Sequence, residues 1–267
     1  MLLGQAIILG LIQGFTEFLP ISSSGHLIIV PELFQWTDHG LAFDAFLHLG
    51  TLLAVIIYFR KEVAKILAGF FSGKSSDSIW RRLGFFIIIA TIPAALAGLL
   101  FRPFIGEALR SVNVVAASLI IWAVVMLIAE EYSRRISRNN DSLEKVTLLQ
   151  SIAVGFWQII ALIPGTSRSG ITMTGGLLAG LNRETAVRFS FILSIPIIAA
   201  AGFFSLFELF QAETIFFDWQ FALAGLASSA ISGYIAIALM LKLVQMWGFK
   251  PFAVYRIILA LALLFFL

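Results

Sequence analysis

Long apolar runs separated by short polar segments set the pattern of this chain. Residues 41–59, 83–101, 112–129, 187–207, 220–240 and 252–267 are each dominated by aliphatic and aromatic side chains. A helix needs roughly 20 such residues to cross a hydrocarbon core, so each run predicts a transmembrane helix. Two further apolar stretches, 1–30 and 148–180, are interrupted by Pro, Gly and Ser clusters at 20–25 and 164–170. They do not read as simple spans.

Composition agrees with the pattern. Of 267 residues, 60% are hydrophobic and 12% charged, whereas a soluble domain carries about 25% charged residues. The mean hydropathy is +0.99. No hydrophilic stretch is long enough to fold alone, so a single membrane domain is expected. The chain has no cysteine, which excludes a disulfide framework, a thiolate metal site and a cysteine nucleophile. No basic residue precedes the first apolar run, so it does not read as a cleaved signal peptide. A net charge of +3 gives no reason to expect a nucleic-acid partner.

Where the basic residues sit is more informative than their total. Segment 60–82 holds Arg60, Lys61, Lys65, Lys74, Arg81 and Arg82; segment 130–147 holds Arg134, Arg135, Arg138 and Lys145; segment 241–251 holds Lys242 and Lys250. Segments 30–40 and 208–219 hold none, and 102–111 holds only Arg102 and Arg110. Twelve basic residues against two predict that the first set faces the cytoplasm. Stretch 148–180 must then leave the cytoplasmic side and return to it. By the same count residue 41 is outside, so 1–30 either enters and returns from the outer side or makes two short crossings. Both read as re-entrant helical hairpins, with tips at 20–25 and 164–170. Irregular backbone at that depth is tolerated only where protein or a wet cavity surrounds it.

The two halves echo one another. Gly14-Phe15-Thr16-Glu17 is followed by Pro20 and Ser22-Ser23-Ser24-Gly25; Gly155-Phe156-Trp157-Gln158 is followed by Pro164 and Ser167-Arg168-Ser169-Gly170. Opposite hairpin directions make this an inverted-topology repeat, with repeat 1 over about 1–130, repeat 2 over about 148–267, and a cytoplasmic linker at 130–147. Such an architecture puts a site near the midplane, between the repeats.

The chemistry is concentrated at the two breaks. Gln13 and Glu17 are four residues apart and share a helix face. Pro20 ends that helix, and the serines suit the cap of a new one. His26 follows Ser22 and Ser23 by four and three residues, within reach of either hydroxyl. A Glu and a His so close together in lipid need partners and mark function; the plainer alternative is a helix-breaking turn with a packing Glu and a backbone-bonded His. Arg168 is the only basic residue between Lys145 and Arg183. Its hydroxyl-rich surroundings suit a phosphate held by side chains and backbone amides, the alternative being a structural Arg168–Glu17 pair. A carboxylate beside phosphate makes sense if it binds Mg²⁺ or Ca²⁺ or acts as a base. His26 is suited to proton transfer, and Ser23 to attack on phosphorus if activated.

At these residues the chain resembles the undecaprenyl-diphosphate phosphatase family, the bacitracin-resistance proteins. The family's (Glu/Gln)-x-x-x-Glu motif falls at Gln13 to Glu17, its Phe-Leu-Pro-(Ile/Val)-Ser-Ser-x-Gly-His at Phe18 to His26, and its Pro-Gly-x-Ser-Arg-Ser-x-x-Thr at Pro164 to Thr172. The resemblance implies removal of the terminal phosphate from a polyprenyl diphosphate, a divalent cation, and a site open to the outer face of the bacterial cytoplasmic membrane. It implies Glu17, Ser23, His26 and Arg168 as catalytic residues, Ser22, Ser167, Arg168, Ser169 and Thr172 around the phosphate, and Gln13 and Glu17 for the metal. The nucleophile is serine or water.

Other polar residues carry less. Asp44 and His48, four apart on a predicted span, either line the cavity or pair within the helix, and both stay outside the core site. His39, beside Asp38, reads as solvated. Arg183, Glu184 and Arg188 after Asn182 read as a capped, anchored helix start. Gly10/Gly14 and Gly176/Gly180 permit close helix packing, which suits the internal fold better than the interface of a possible homodimer. The main rival function is transport of an anionic lipid or small anion. Glu17 beside a candidate nucleophile speaks against it. The other lipid-phosphatase pattern, Ser-Arg-x₅-His, fails because position 174 is threonine.

Overall fold

The computed structural model describes residues 2–36, 40–71, 78–101, 111–136, 142–211 and 219–266. Asp38, His39, Lys74, Arg102, Arg110 and Arg138 lie outside the described residues. Those described form eleven α-helices and one short 3₁₀ turn: α1 (Leu3–Phe18), α2 (Ser23–Leu33), α3 (Gly40–Tyr58), α4 (Arg60–Phe71), α5 (Ser78–Leu100), α6 (Val112–Arg135), α7 (Leu148–Ile160), α8 (Arg168–Leu178), α9 (Arg183–Gln211), α10 (Trp219–Trp247) and α11 (Lys250–Phe266), with the turn at Leu143–Lys145.

Four of these helices are long and apolar enough to cross a membrane: Ser78–Leu100, Val112–Arg135, Arg183–Phe207 and Trp219–Trp247. A fifth arises if Phe43–Tyr58 and Arg60–Phe71, which meet at 82°, are counted as one span. This differs from the six full spans expected from sequence. The candidate at 252–267 is a 17-residue helix, a little short of a full crossing. Segment 60–82, read as a loop, contains helix α4. Its Arg60, Lys61, Glu62 and Lys65 are poorly soluble in hydrocarbon, which accounts for the sharp turn away from α3.

The expected interruptions are present. α1 stops at Leu19, which is extended at φ −72°, ψ 140°, because the residue before proline is driven out of the helical region. α2 starts at Ser23, and the second break runs from the end of α7 to the start of α8 at Arg168. Each pair is therefore helix, break, helix.

Packing draws the broken helices inward. α1 lies along α10, α7 along α5, α3 against both α9 and α10, and α6 against α11. Small residues permit the close approaches. A Cβ on Gly14 would meet Gly233 N at 2.6 Å, and one on Gly155 would meet the Ala90 backbone Cα at 2.8 Å. Gly10 faces Ser228 and Gly225, and Gly176 faces Ala186, so these glycines serve packing within the chain. The main core gathers Phe18, Phe59, Phe189, Phe191, Met240 and Phe249. Large apolar side chains such as Ile88, Leu99, Ile128, Leu223, Ile258 and Leu261 point outward, as a lipid-facing surface requires.

The anchored helix start at α9 is as expected. Asn182 Oδ1 accepts the Thr185 N–H at 2.7 Å. Arg183 pairs with buried Glu130 at 2.5 Å, and Arg188 with Glu184 at 2.9 Å.

Candidate active site

The two breaks have the same local geometry. Ser22 and Ser167 both adopt φ 74°, a left-handed conformation that costs a non-glycine residue about 1–3 kcal/mol. Each caps the following helix: Ser22 Oγ accepts the Gly25 N–H at 3.3 Å, and Ser167 Oγ accepts the Gly170 N–H at 3.2 Å. Each hydroxyl also lies near the one two residues on, Ser22 to Ser24 at 3.3 Å and Ser167 to Ser169 at 3.2 Å. The next residue after each strained serine is half-buried: Ser23 between buried Ser22 and exposed Ser24, and Arg168 between buried Ser167 and Ser169. Corresponding positions thus present a hydroxyl and a guanidinium.

Both converge on Glu17. Ser23 Oγ donates to Glu17 Oε2 at 2.7 Å, and Arg168 Nη2 donates to Oε1 at 2.6 Å. Gln13 Nε2, one turn earlier on α1, donates to Oε2 at 3.1 Å. The Glu17 side chain is 6% exposed and that of Arg168 13%. Arg168 Nη1 also donates to the Ser190 carbonyl at 3.2 Å. The Arg168–Glu17 pair weighed from sequence as a structural alternative is therefore present, and it joins the two breaks.

The histidine is placed differently from the simplest reading. His26 Nδ1 lies 2.7 Å from the Ser22 carbonyl oxygen, and a carbonyl can only accept, so Nδ1 carries a proton. Nε2 lies 2.7 Å from the Tyr255 hydroxyl. The direct partner of the Ser23 hydroxyl is Glu17, not His26. The remaining hydroxyls brace the second break: Ser169 Oγ donates to the Leu19 carbonyl at 3.2 Å, and Thr172 Oγ1 lies 2.7 Å from Ser190 Oγ.

Two contributors, Tyr255 and Arg256, escaped the sequence reading, and a third was named there but left out of the site. His48, set aside there with Asp44, has Nε2 3.8 Å from Glu17 Oε2 and Nδ1 against the Asp44 carbonyl at 2.7 Å. Tyr255 holds His26 as described. Arg256, 1% exposed, reaches both breaks. It donates to Pro20 O at 3.3 Å, Gly165 O at 3.1 Å and Thr166 O at 2.9 Å, and on α6 to Ser118 O and Leu119 O. An arginine inside an apolar run was the available signal; the run 252–267 was read as an ordinary span.

The residues fit a hard cation. Gln13 Oε1 is buried with no hydrogen-bond partner, and its side chain is bonded through Nε2 to the Glu17 carboxylate. Among the described residues no three His, Asp or Glu side chains gather into a metal cage. One carboxylate with a neighbouring oxygen suits a cation completed by substrate phosphates.

Helical architecture, outward apolar faces and a charged cluster at two helix breaks define a multi-pass membrane protein with a buried polar centre. The chain belongs to the bacitracin resistance protein BacA family, whose profile matches residues 6–262. It is 44% identical over 268 residues to undecaprenyl-diphosphatase 1 of Pseudoalteromonas translucida, covering 98% of both chains. It is 46% identical to the undecaprenyl-diphosphatase of Alteromonas mediterranea, over 100% of this chain and 99% of that one. To the undecaprenyl-diphosphatase of Hahella chejuensis it is 46% identical, over 98% and 97%.

Proposed function

We infer that this protein is an integral membrane phosphatase that hydrolyses undecaprenyl diphosphate to undecaprenyl phosphate and inorganic phosphate. It thereby recycles the lipid carrier for cell-wall synthesis and confers bacitracin resistance. Family membership and full-length relatives of that activity support the reading. The observation that carries it to particular atoms is Glu17, joined by Ser23 on one oxygen and Arg168 on the other.

Each group has a role that follows from its contacts. Arg168 binds the diphosphate oxygens, the task its guanidinium performs best. Glu17 Oε2 takes the Ser23 proton as Ser23 Oγ attacks the terminal phosphorus. The bond from that phosphorus to the bridging oxygen breaks, and undecaprenyl phosphate leaves with the bond's electron pair. Water then hydrolyses the phosphoserine and restores Ser23. His26, fixed by Ser22 and Tyr255, serves proton transfer around the leaving phosphate. Ser22, Ser167, Ser169 and Thr172 set the curvature and polarity of the cradle, Ser22 and Ser167 through their caps. Gln13 Oε1 and Glu17 would hold Mg²⁺ or Ca²⁺, which screens the carboxylate from the diphosphate and polarises the P–O bond.

The architecture belongs to the same proposal. The chain is one domain in the bacterial inner membrane, built from an inverted repeat with α1–α2 and α7–α8 as re-entrant hairpins, and its site opens outward. Three things support the repeat. The strained serines and caps match at Ser22 and Ser167. Gly14 and Gly155, at matching places in the echo, each press on a partner helix backbone. The α1–α10 contact also corresponds to that of α7 with α5.

Purified protein in detergent, given undecaprenyl diphosphate, is expected to yield equal amounts of undecaprenyl phosphate and phosphate. Binding of the lipid without either product would instead make the protein a carrier of anionic lipid.

A further inference from the structure

The carboxylate and the guanidinium at the centre of the site are both already committed. Glu17 Oε1 is taken by Arg168 at 2.6 Å, and Oε2 by Ser23 at 2.7 Å and Gln13 at 3.1 Å. Arg168 spends Nη2 on Glu17 and Nη1 on the Ser190 carbonyl. What lacks a partner is Gln13 Oε1, which can only accept, and Arg168 Nε, which can only donate. The pair thus occupies the best ligand for a cation with the best ligand for an anion.

Either ligand alone would open this pair at a cost. A divalent cation drawn to Glu17 would push the Arg168 guanidinium off its counter-charge in a largely buried place. A diphosphate drawn to Arg168 would leave Glu17 facing a second anion. Separating a buried pair leaves an uncompensated charge, which is strongly unfavourable. When both arrive, the ions exchange partners. Arg168 turns to phosphate oxygens and satisfies Nε, while Glu17 Oε1 and Gln13 Oε1 turn to the cation. Every charge then keeps an opposite neighbour, and Ser23 keeps Glu17 Oε2.

We propose that the site accepts a divalent cation and a diphosphate only as one complex, by exchange across the Arg168–Glu17 pair, and has little affinity for either alone. This rests on the phosphatase reading and adds the form in which the substrate is taken. By linkage, the cation must tighten diphosphate binding by the same factor as the diphosphate tightens cation binding. A factor of about 100 is expected, near the upper end of such couplings.

Equilibrium dialysis of the full-length protein in detergent tests this without turnover. The probes are radiolabelled Ca²⁺ and methylenediphosphonate, which has no hydrolysable bridge, each alone and together, with free concentrations corrected for the complex formed in solution. Wild-type protein is expected to bind each about 100-fold more tightly in the presence of the other. Arg168→Gln should bind Ca²⁺ without diphosphonate, and Glu17→Gln should bind diphosphonate without Ca²⁺. Equal affinity of the wild type for Ca²⁺ with and without diphosphonate overturns the exchange while leaving the phosphatase reading intact. Failure of diphosphonate to bind either wild type with Ca²⁺ or Glu17→Gln overturns both. The wild-type comparison is decisive without any variant.

Discussion

Arg256 is the residue on which most of the site's backbone depends. Its guanidinium joins carbonyls from both breaks and from α6, and it is 1% exposed. Hydrogen bonds to a charged group contribute about 1.5–3 kcal/mol each, and a carbonyl left unpaired adds a penalty. Arg256→Lys keeps the charge but loses the fork that reaches several carbonyls at once. That variant is expected to lose on the order of 3 kcal/mol of stability, read as a lower unfolding temperature in detergent, with a fall in phosphate release. A variant as stable and active as wild type would remove Arg256 from this account. Glu17 and Arg168 were legible because ionisable groups in lipid declare themselves by residue type, and Gln13 and Ser23 because of their spacing from Glu17 and the break. Tyr255 and His48 were not, since their relevance comes from helices distant in sequence folding onto His26 and Glu17; Arg256 carried the signal of an arginine in an apolar run, but not its partners at both breaks.

The helix break is the element that aims the chemistry. Ser22 and Ser167 each combine a left-handed backbone with a side-chain cap. These two demands favour different residues: glycine suits the backbone, serine the cap. Ser22→Ala and Ser167→Ala meet neither demand and are each expected to cost about 1–2 kcal/mol. The glycine variants relieve the backbone and should cost less, so thermal unfolding should order serine above glycine above alanine. Alanine equal to glycine at both positions would show that the left-handed turn is not retained. The breaks themselves were plain from Pro20 and Pro164 and the apolar runs around them. The 82° turn into α4 was not, because a basic segment beside a span reads equally well as loop or surface helix.

At the scale of the whole molecule, orientation is the property most open to direct test, and a cysteine-free chain suits it. Single cysteines at Asn139→Cys and Asn182→Cys should react with a membrane-impermeant maleimide only after cells are opened. Gly106→Cys and Thr214→Cys should react in intact cells. Asn139 and Asn182 flank the α7–α8 pair, so labelling from opposite sides would make that pair a crossing and dismiss the inverted repeat. The charge asymmetry of the loops is the sequence signal behind the sidedness that this labelling tests. The way α1 lies along α10 and α7 along α5 was not readable, because small-residue contacts such as Gly14 on Gly233 leave no pairing information in a single chain.

In the proposed function, two helix breaks far apart in sequence form one metal-assisted phosphatase site around Glu17 and Arg168. Its most direct test is phosphate release from undecaprenyl diphosphate by wild type, Glu17→Ala and Arg168→Ala, each shown to be folded, in EDTA and with Mg²⁺ or Ca²⁺ restored. Release that stops in EDTA, returns with the cation and falls by at least about 100-fold in both variants, as loss of a group stabilising the transition state requires, is the predicted result. Release that persists in EDTA, or survives loss of either side chain, would contradict it.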